Sequence, residues 1–292
     1  MARFVFVHGV GNHKNPFAGW AKTLGLSDGD FSEVFWGELF ADAHLAQELA
    51  ASSVLSLAAR VTEAGPGLSG ANALPLDVQD EKAIADLLDA ARVDKLLTIE
   101  TETSTATGLQ HVHAFPPTSW FVQKIVEFAL REVIYYLRNR EHRGVAVRDK
   151  IREMFEEAIQ PGDVVVAHSM GSIIAYDCLS RDLHDAPNAA SLVTIGSPLG
   201  LNLLRDWLPR DAERRLVMPR RVTGRWSNGF DRKDVFVRLE RVEWGAELGL
   251  SEDVASPKDQ FYEDGLLENT GFGHHAALEY LEKFGDQILP PA

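Results

Sequence analysis

Apolar positions along this chain follow two rhythms. One is the short unbroken run. Phe4, Val5, Phe6 and Val7 form one, Val164, Val165, Val166 and Ala167 another, and Leu192, Val193, Thr194 and Ile195 a third. Runs this short, rich in β-branched and aromatic side chains, are the signature of central strands, because a strand covered on both faces has no polar face to show. Val34, Phe35 and Trp36 read as a second strand, and residues 221–226 as a further one, followed by a polar loop over 228–234. The other rhythm is helical. Residues 20–26 predict a short first helix, and residues 41–59 an Ala- and Leu-rich one. Residues 80–88 and 147–159 predict two more, the latter stopped by Pro161 and Gly162. Residues 172–177 predict a helix directly after a strand, and residues 276–284 a terminal helix. The strongest helical signal is 118–138, capped by Thr118 or Ser119, with Phe121, Ile125, Phe128, Val133 and Leu137 at helical spacing. It is apolar on more than one side, so it is expected to pack on two faces. Strands alternating with helices predict an α/β fold: a mostly parallel central sheet flanked by helices.

Residues 63–117 break this alternation. Gly65, Pro66, Gly67 and Gly70 punctuate the start, residues 98–107 are Thr-rich, and Pro116 and Pro117 close the segment. The expected organisation is one domain over 1–292, with 41–117 as an inserted cap-like segment over the site. At 292 residues and 45% hydrophobic content, the chain can bury a core of that size. Its net charge of −14 argues against nucleic acid and anionic membranes as bulk partners. The single cysteine, Cys178, permits no intrachain disulfide and is expected to act as a small buried hydrophobe. No apolar stretch has the length of a membrane span, and the first strand begins too early to leave room for a leader, so a cytoplasmic location is expected. The oligomeric state is not legible.

Candidate chemistry centres on residues 163–177, DVVVAHSMGSIIAYD: a strand pattern, a polar turn and a helix pattern. Small residues at 167 and 171 flank Ser169, as a sharp strand-to-helix turn requires if the hydroxyl is to be presented to a substrate. A small-x-Ser-x-Gly match by itself arises by chance in roughly one in five chains this long. The partners therefore decide. A serine hydroxyl needs a general base, and the base an orienting carboxylate. On an open α/β sheet the expected chain order is Ser, acid, His. This chain offers Ser169, then Asp231 or Asp234, then His274 or His275. Acyl transfer also needs N–H donors for the oxyanion. The backbone of Met170 is one candidate. Val10, between Gly9 and Gly11 after the first strand, is the other. The same turn holds His8 and Gly9, and Asn12 and His13 follow; His8, Gly9 and Asn12 are candidates for contacting substrate, the alternative for Asn12 being to fix the loop. It lacks the spacing of a phosphate loop. His168 is expected to pack rather than to act as base. His111 and His113 lack the Cys or carboxylate company of a metal site, and none is expected.

FVFVHGVGNH, VVVAHSMGSIIAYD, VTIGSPLGL and RWSNGFDRKDV, in this order, resemble the α/β-hydrolase superfamily, in particular lipase- and esterase-like members. The resemblance covers about 1–40 and 118–292. It implies an α/β-hydrolase fold with Ser169 as nucleophile, Met170 and Val10 as oxyanion donors, Asp234 as acid with Asp231 the alternative, and His275 as base with His274 the alternative. It further implies a serine esterase or lipase acting on a small-molecule or lipid-like ester without a cofactor. A thioesterase, acyltransferase or amidase would use the same parts, and a non-catalytic binding protein the same fold.

Overall fold

A computed structural model describes residues 2–10, 15–40, 74–90, 130–183, 185–200, 204, 207–210, 216–231, 258–262 and 277–288. In chain order its elements are β1 (Phe4–Val7), α1 (Phe17–Thr23), β2 (Phe31–Val34), a 3₁₀ turn (Gly37–Phe40), α2 (Val78–Ala90) and α3 (130–137). A short hairpin follows, β3 (Glu141–His142) and β4 (Val145–Ala146), then α4 (Val147–Ala158), β5 (Val164–His168) and α5 (Met170–Ser180). The chain continues with β6 (Ser191–Ile195), β7 (Trp226–Asp231), β8 (Lys258–Tyr262) and α6 (Ala277–Ile288).

Among the described residues β1, β2 and β5 to β8 form one sheet in the order β2-β1-β5-β6-β7-β8. Every pairing in it is parallel. The protein is therefore α/β, with a parallel central sheet flanked by helices. The unbroken apolar runs have a direct cause. Val5, Val7, Val165 and Ala167 face one core with α4 and α5, while Phe4, Phe6, Val164 and Val166 face a second with α1 and α6. Both faces of β1 and β5 are covered, so neither strand can carry a polar alternation. All five residues from Val133 to Leu137 in α3 are buried, in keeping with its apolar girth. Among the described residues no helix is long and apolar enough to cross a membrane.

Three sequence expectations require correction. The second strand is Phe31–Val34 and not residues 34–36. Phe35 and Trp36 leave the sheet, and the Trp36 main chain and indole turn onto His8 instead. Residues 221–226 do not form a strand: Val222 makes one isolated bridge to Ala189, and β7 starts at Trp226. The expected loop at 228–234 is thus strand as far as Asp231. The reason lies in the sheet interior, where Asn228 is buried opposite Thr194 and accepts its hydroxyl at 2.8 Å. β8 and the β3–β4 hairpin were not anticipated.

Part of the expected insertion is described, and it packs on the core. Leu74 and Ile84 are buried, and Leu74 and Pro75 carbonyls accept from Arg131 and from the Tyr135 hydroxyl at 2.7 Å each. α2 begins with a reciprocal cap: the Asp80 N–H donates to Asp77 and the Asp77 N–H to Asp80. Arg138 and Arg140 at the end of α3 pair with Asp80, and Arg140 also with Asp77. The expected helix at 41–59 and the Thr-rich stretch 98–107 lie outside the described residues, as do residues 118–129 of the long helix.

Candidate active site

The strand order reverses between β1 and β5. From β1 the chain moves outward to β2, and later returns to β5 on the other side of β1. In open parallel sheets the crevice at such a reversal, at the carboxyl ends of the strands, is where ligands bind. Here those ends carry His8, Gly9 and Val10 after β1 and Ser169 after β5.

Ser169 occupies the junction of β5 and α5 with φ 52° and ψ −125°. A left-handed φ at a non-glycine residue costs of order 1–3 kcal/mol and persists only where its surroundings enforce it. They do so here. The Ser169 N–H donates to the Ile195 carbonyl at 3.1 Å, and the Ser169 carbonyl accepts from the Ser172 N–H at 2.9 Å. Ser172 in turn donates its hydroxyl to the Ala167 carbonyl at 3.1 Å. Ser169 sits at the N-cap position of α5, yet its side chain makes no capping hydrogen bond. Capping is the ordinary reason for a serine at this place, so that alternative does not apply.

The two turns interlock through their glycines. A Cβ on Gly9 would stand 2.7 Å from the Cβ of Ser169, and one on Gly171 would collide with the Val7 carbonyl and reach 2.7 Å from that of His8. Position 171 thus demands glycine because the first turn of α5 lies directly on the end of β1. Met170 is buried in the α4/α5 core, and Val10 packs against the same cluster. The first N–H groups of α5, Met170 among them, have no carbonyl earlier in their own helix.

His8 is fully buried. Its Nε2 accepts the Trp36 backbone N–H at 3.2 Å, so the proton resides on Nδ1, which donates to the Gly9 carbonyl at 2.6 Å. The ring stacks on Trp36 with centroids 4.5 Å apart, and the Trp36 indole N–H donates to the His8 carbonyl at 3.3 Å. His168 packs edge-on to Trp20 and tilted to Tyr280 of α6, each at 6.3 Å. Its ring lies on the α1/α6 side of the sheet, as a packing residue would.

The structure brings His8, Gly9, Val10, Ser169 and Met170 together. Asn12, Asp234, His274 and His275 lie outside the described residues, as do His13, His111 and His113. Their attachment points are nevertheless described. β7 runs parallel to β5 and β6 and ends at Asp231 on the edge that carries Ser169. β8 ends on the same edge at Tyr262, and α6 begins at Ala277, two residues after His275. A polar chain that sequence reasoning missed anchors β7: the Trp226 indole donates to Thr194 Oγ1 at 3.0 Å, and Thr194 to Asn228. Asn228 next to Gly229 carries a turn signal, which hid it.

Behind α5 is a second polar group. Arg152 forks onto Asp177 at 2.9 and 2.8 Å, and the Tyr136 hydroxyl donates to the same carboxylate at 2.7 Å. Burial, with the nearby Cys178 and Asp177, holds the Tyr136 phenol well above its ordinary 10.0. Burial likewise pushes the Cys178 thiol well above 9.0, which suits the inert role expected of it.

Compared with known proteins, the chain matches no family model, no curated protein and no solved structure.

Proposed function

We propose that this protein is a serine hydrolase of the α/β-hydrolase fold that cleaves a carboxylic ester of a small-molecule or lipid-like substrate. The observation that carries this reading is Ser169: a strained, left-handed serine at the turn from β5 into α5, at the sheet's switch point, with a side chain that does not cap the helix. Strain of this kind at a strand-to-helix turn has a chemical use, since it lifts a hydroxyl clear of the backbone.

In this reading the Ser169 hydroxyl attacks the ester carbonyl. His275, with His274 the alternative, takes the hydroxyl proton and returns it to the leaving alcohol. Asp234, with Asp231 the alternative, holds the imidazole. The N–H groups of Val10 and Met170 receive the oxyanion, and water then releases the acyl group by the reverse sequence. Parallel β7 and β8 support this assignment, because β7 delivers the chain to the Ser169 edge at Asp231, three residues before Asp234, and β8 returns it to that edge before the histidine candidates. Replacing Ser169 with Ala is expected to abolish p-nitrophenyl ester turnover and labelling by a fluorophosphonate, with circular dichroism unchanged. Retained turnover would overturn the assignment, and a folded wild-type chain that neither labels nor turns over would indicate a binding protein.

A further inference from the structure

We infer that His8 is a positioning residue whose Nδ1–H sets the direction of the Val10 N–H, a reading that rests on the proposed hydrolase. The Gly9 carbonyl and the Val10 N–H belong to one peptide unit, and in a trans peptide they point in opposite directions. No described peptide is cis. Whatever grips the Gly9 oxygen therefore aims the Val10 N–H the other way.

His8 grips that oxygen at 2.6 Å. The grip depends on the proton being on Nδ1, and Trp36 enforces this by presenting a backbone N–H to Nε2 at 3.2 Å. Stacking on Trp36 and contacts with Phe17 and Phe35 keep the ring from turning. Trp36 follows β2, on one side of β1, whereas Ser169 follows β5, on the other. Drawing the Gly9 carbonyl towards the β2 side directs the Val10 N–H towards the β5 side, where the oxyanion would form. Gly9 makes this economical, because it has no side chain to separate the turn from Ser169. A donor placed about 1 Å off costs on the order of 100-fold in rate, so a residue that never touches substrate can govern turnover through this peptide. His8 is thereby assigned to the loop and not to substrate contact.

Two substitutions separate the ring's functions. In His8→Asn the side-chain amide nitrogen sits where Nδ1 is and can donate to Gly9. In His8→Gln the amide sits where Nε2 is and cannot. Both are compared with wild type on a p-nitrophenyl ester, alongside fluorophosphonate labelling, thermal melts and ¹⁵N-histidine NMR of the wild type. The expected result is an Nδ1–H tautomer for His8, a kcat lowered about 10- to 100-fold in His8→Gln with KM little changed, and most of that kcat restored in His8→Asn. Equal losses in both variants, unchanged kcat in His8→Gln, or an Nε2–H tautomer would overturn the inference while a labelled, active wild type leaves the hydrolase standing. A folded wild type that is neither labelled nor active would overturn the hydrolase itself. The NMR measurement decides the tautomer even if His8→Gln fails to fold.

Discussion

At the residue scale, Ser169 carries backbone strain that its own side chain does nothing to relieve. Removing the hydroxyl and removing the strain are therefore separable. Ser169→Ala and Ser169→Gly should both be inactive, but glycine tolerates φ 52° and alanine does not. The unfolded chain gains about 0.5–1 kcal/mol of extra entropy from a glycine, less than the strain of about 1–3 kcal/mol that it relieves. Urea denaturation should thus find Ser169→Gly more stable than Ser169→Ala by about 1 kcal/mol. Equal stabilities would mean that the turn is unstrained. The serine and its small neighbours are legible in the sequence because the sharp turn restricts which residues fit. The tautomer of His8 is not legible, because it depends on a backbone N–H of Trp36, 28 residues away.

At the element scale, the Arg152–Asp177–Tyr136 group ties α3 and α4 to α5, the helix that follows Ser169. Asp177 is buried, so its partners differ in importance. Arg152→Leu leaves a buried carboxylate without its counter-charge, at about 3–5 kcal/mol. Tyr136→Phe removes one hydrogen bond to a charged acceptor, at about 1.5–3 kcal/mol. Urea melts should preserve that order, and the reverse would show that the ion pair is solvated. The same helices carry a pH dependence. Tyr136 and Cys178 have folded pKa values raised above 10.0 and 9.0. Their contribution is complete below those values and declines as pH rises, because the unfolded chain ionises first. Stability should fall from about pH 9 upward, and Cys178→Ala or Tyr136→Phe should each flatten the alkaline limb. Elements buried on both faces were legible from their apolar runs. β7 was not: Asn228 and Gly229 read as turn residues locally, and only the hydrogen bond from Thr194 makes Asn228 compatible with a central strand.

At the scale of the whole molecule, α6 and β5 meet through the α1/α6 core. Tyr280 of α6 is fully buried against His168, the last residue of β5, and α1 packs alongside α6. The histidine candidates immediately precede this helix in sequence, so its docking bears on the proposed site as well as on the core. Tyr280→Ala should cost about 3–5 kcal/mol, as for other large-to-small changes of buried aromatics. It should also lower ester turnover more than it lowers the fraction folded, measured by melts and rates at a temperature where the variant remains folded. Loss of stability without that excess loss of rate would confine the role of Tyr280 to packing.

By itself the sequence determined the α/β class, the strands at 4–7 and 164–167, the helix that starts at 147, and the Ser169 turn. Each is governed by short-range rules: unbroken runs where both faces are covered, and small residues where the backbone turns sharply. The tertiary structure alone decided that the order reverses between β1 and β5, that Trp36 leaves the sheet to clasp His8, and that Asn228 belongs in a strand. These depend on partners distant in sequence, and a buried polar group declares its place only when the group that satisfies it is known.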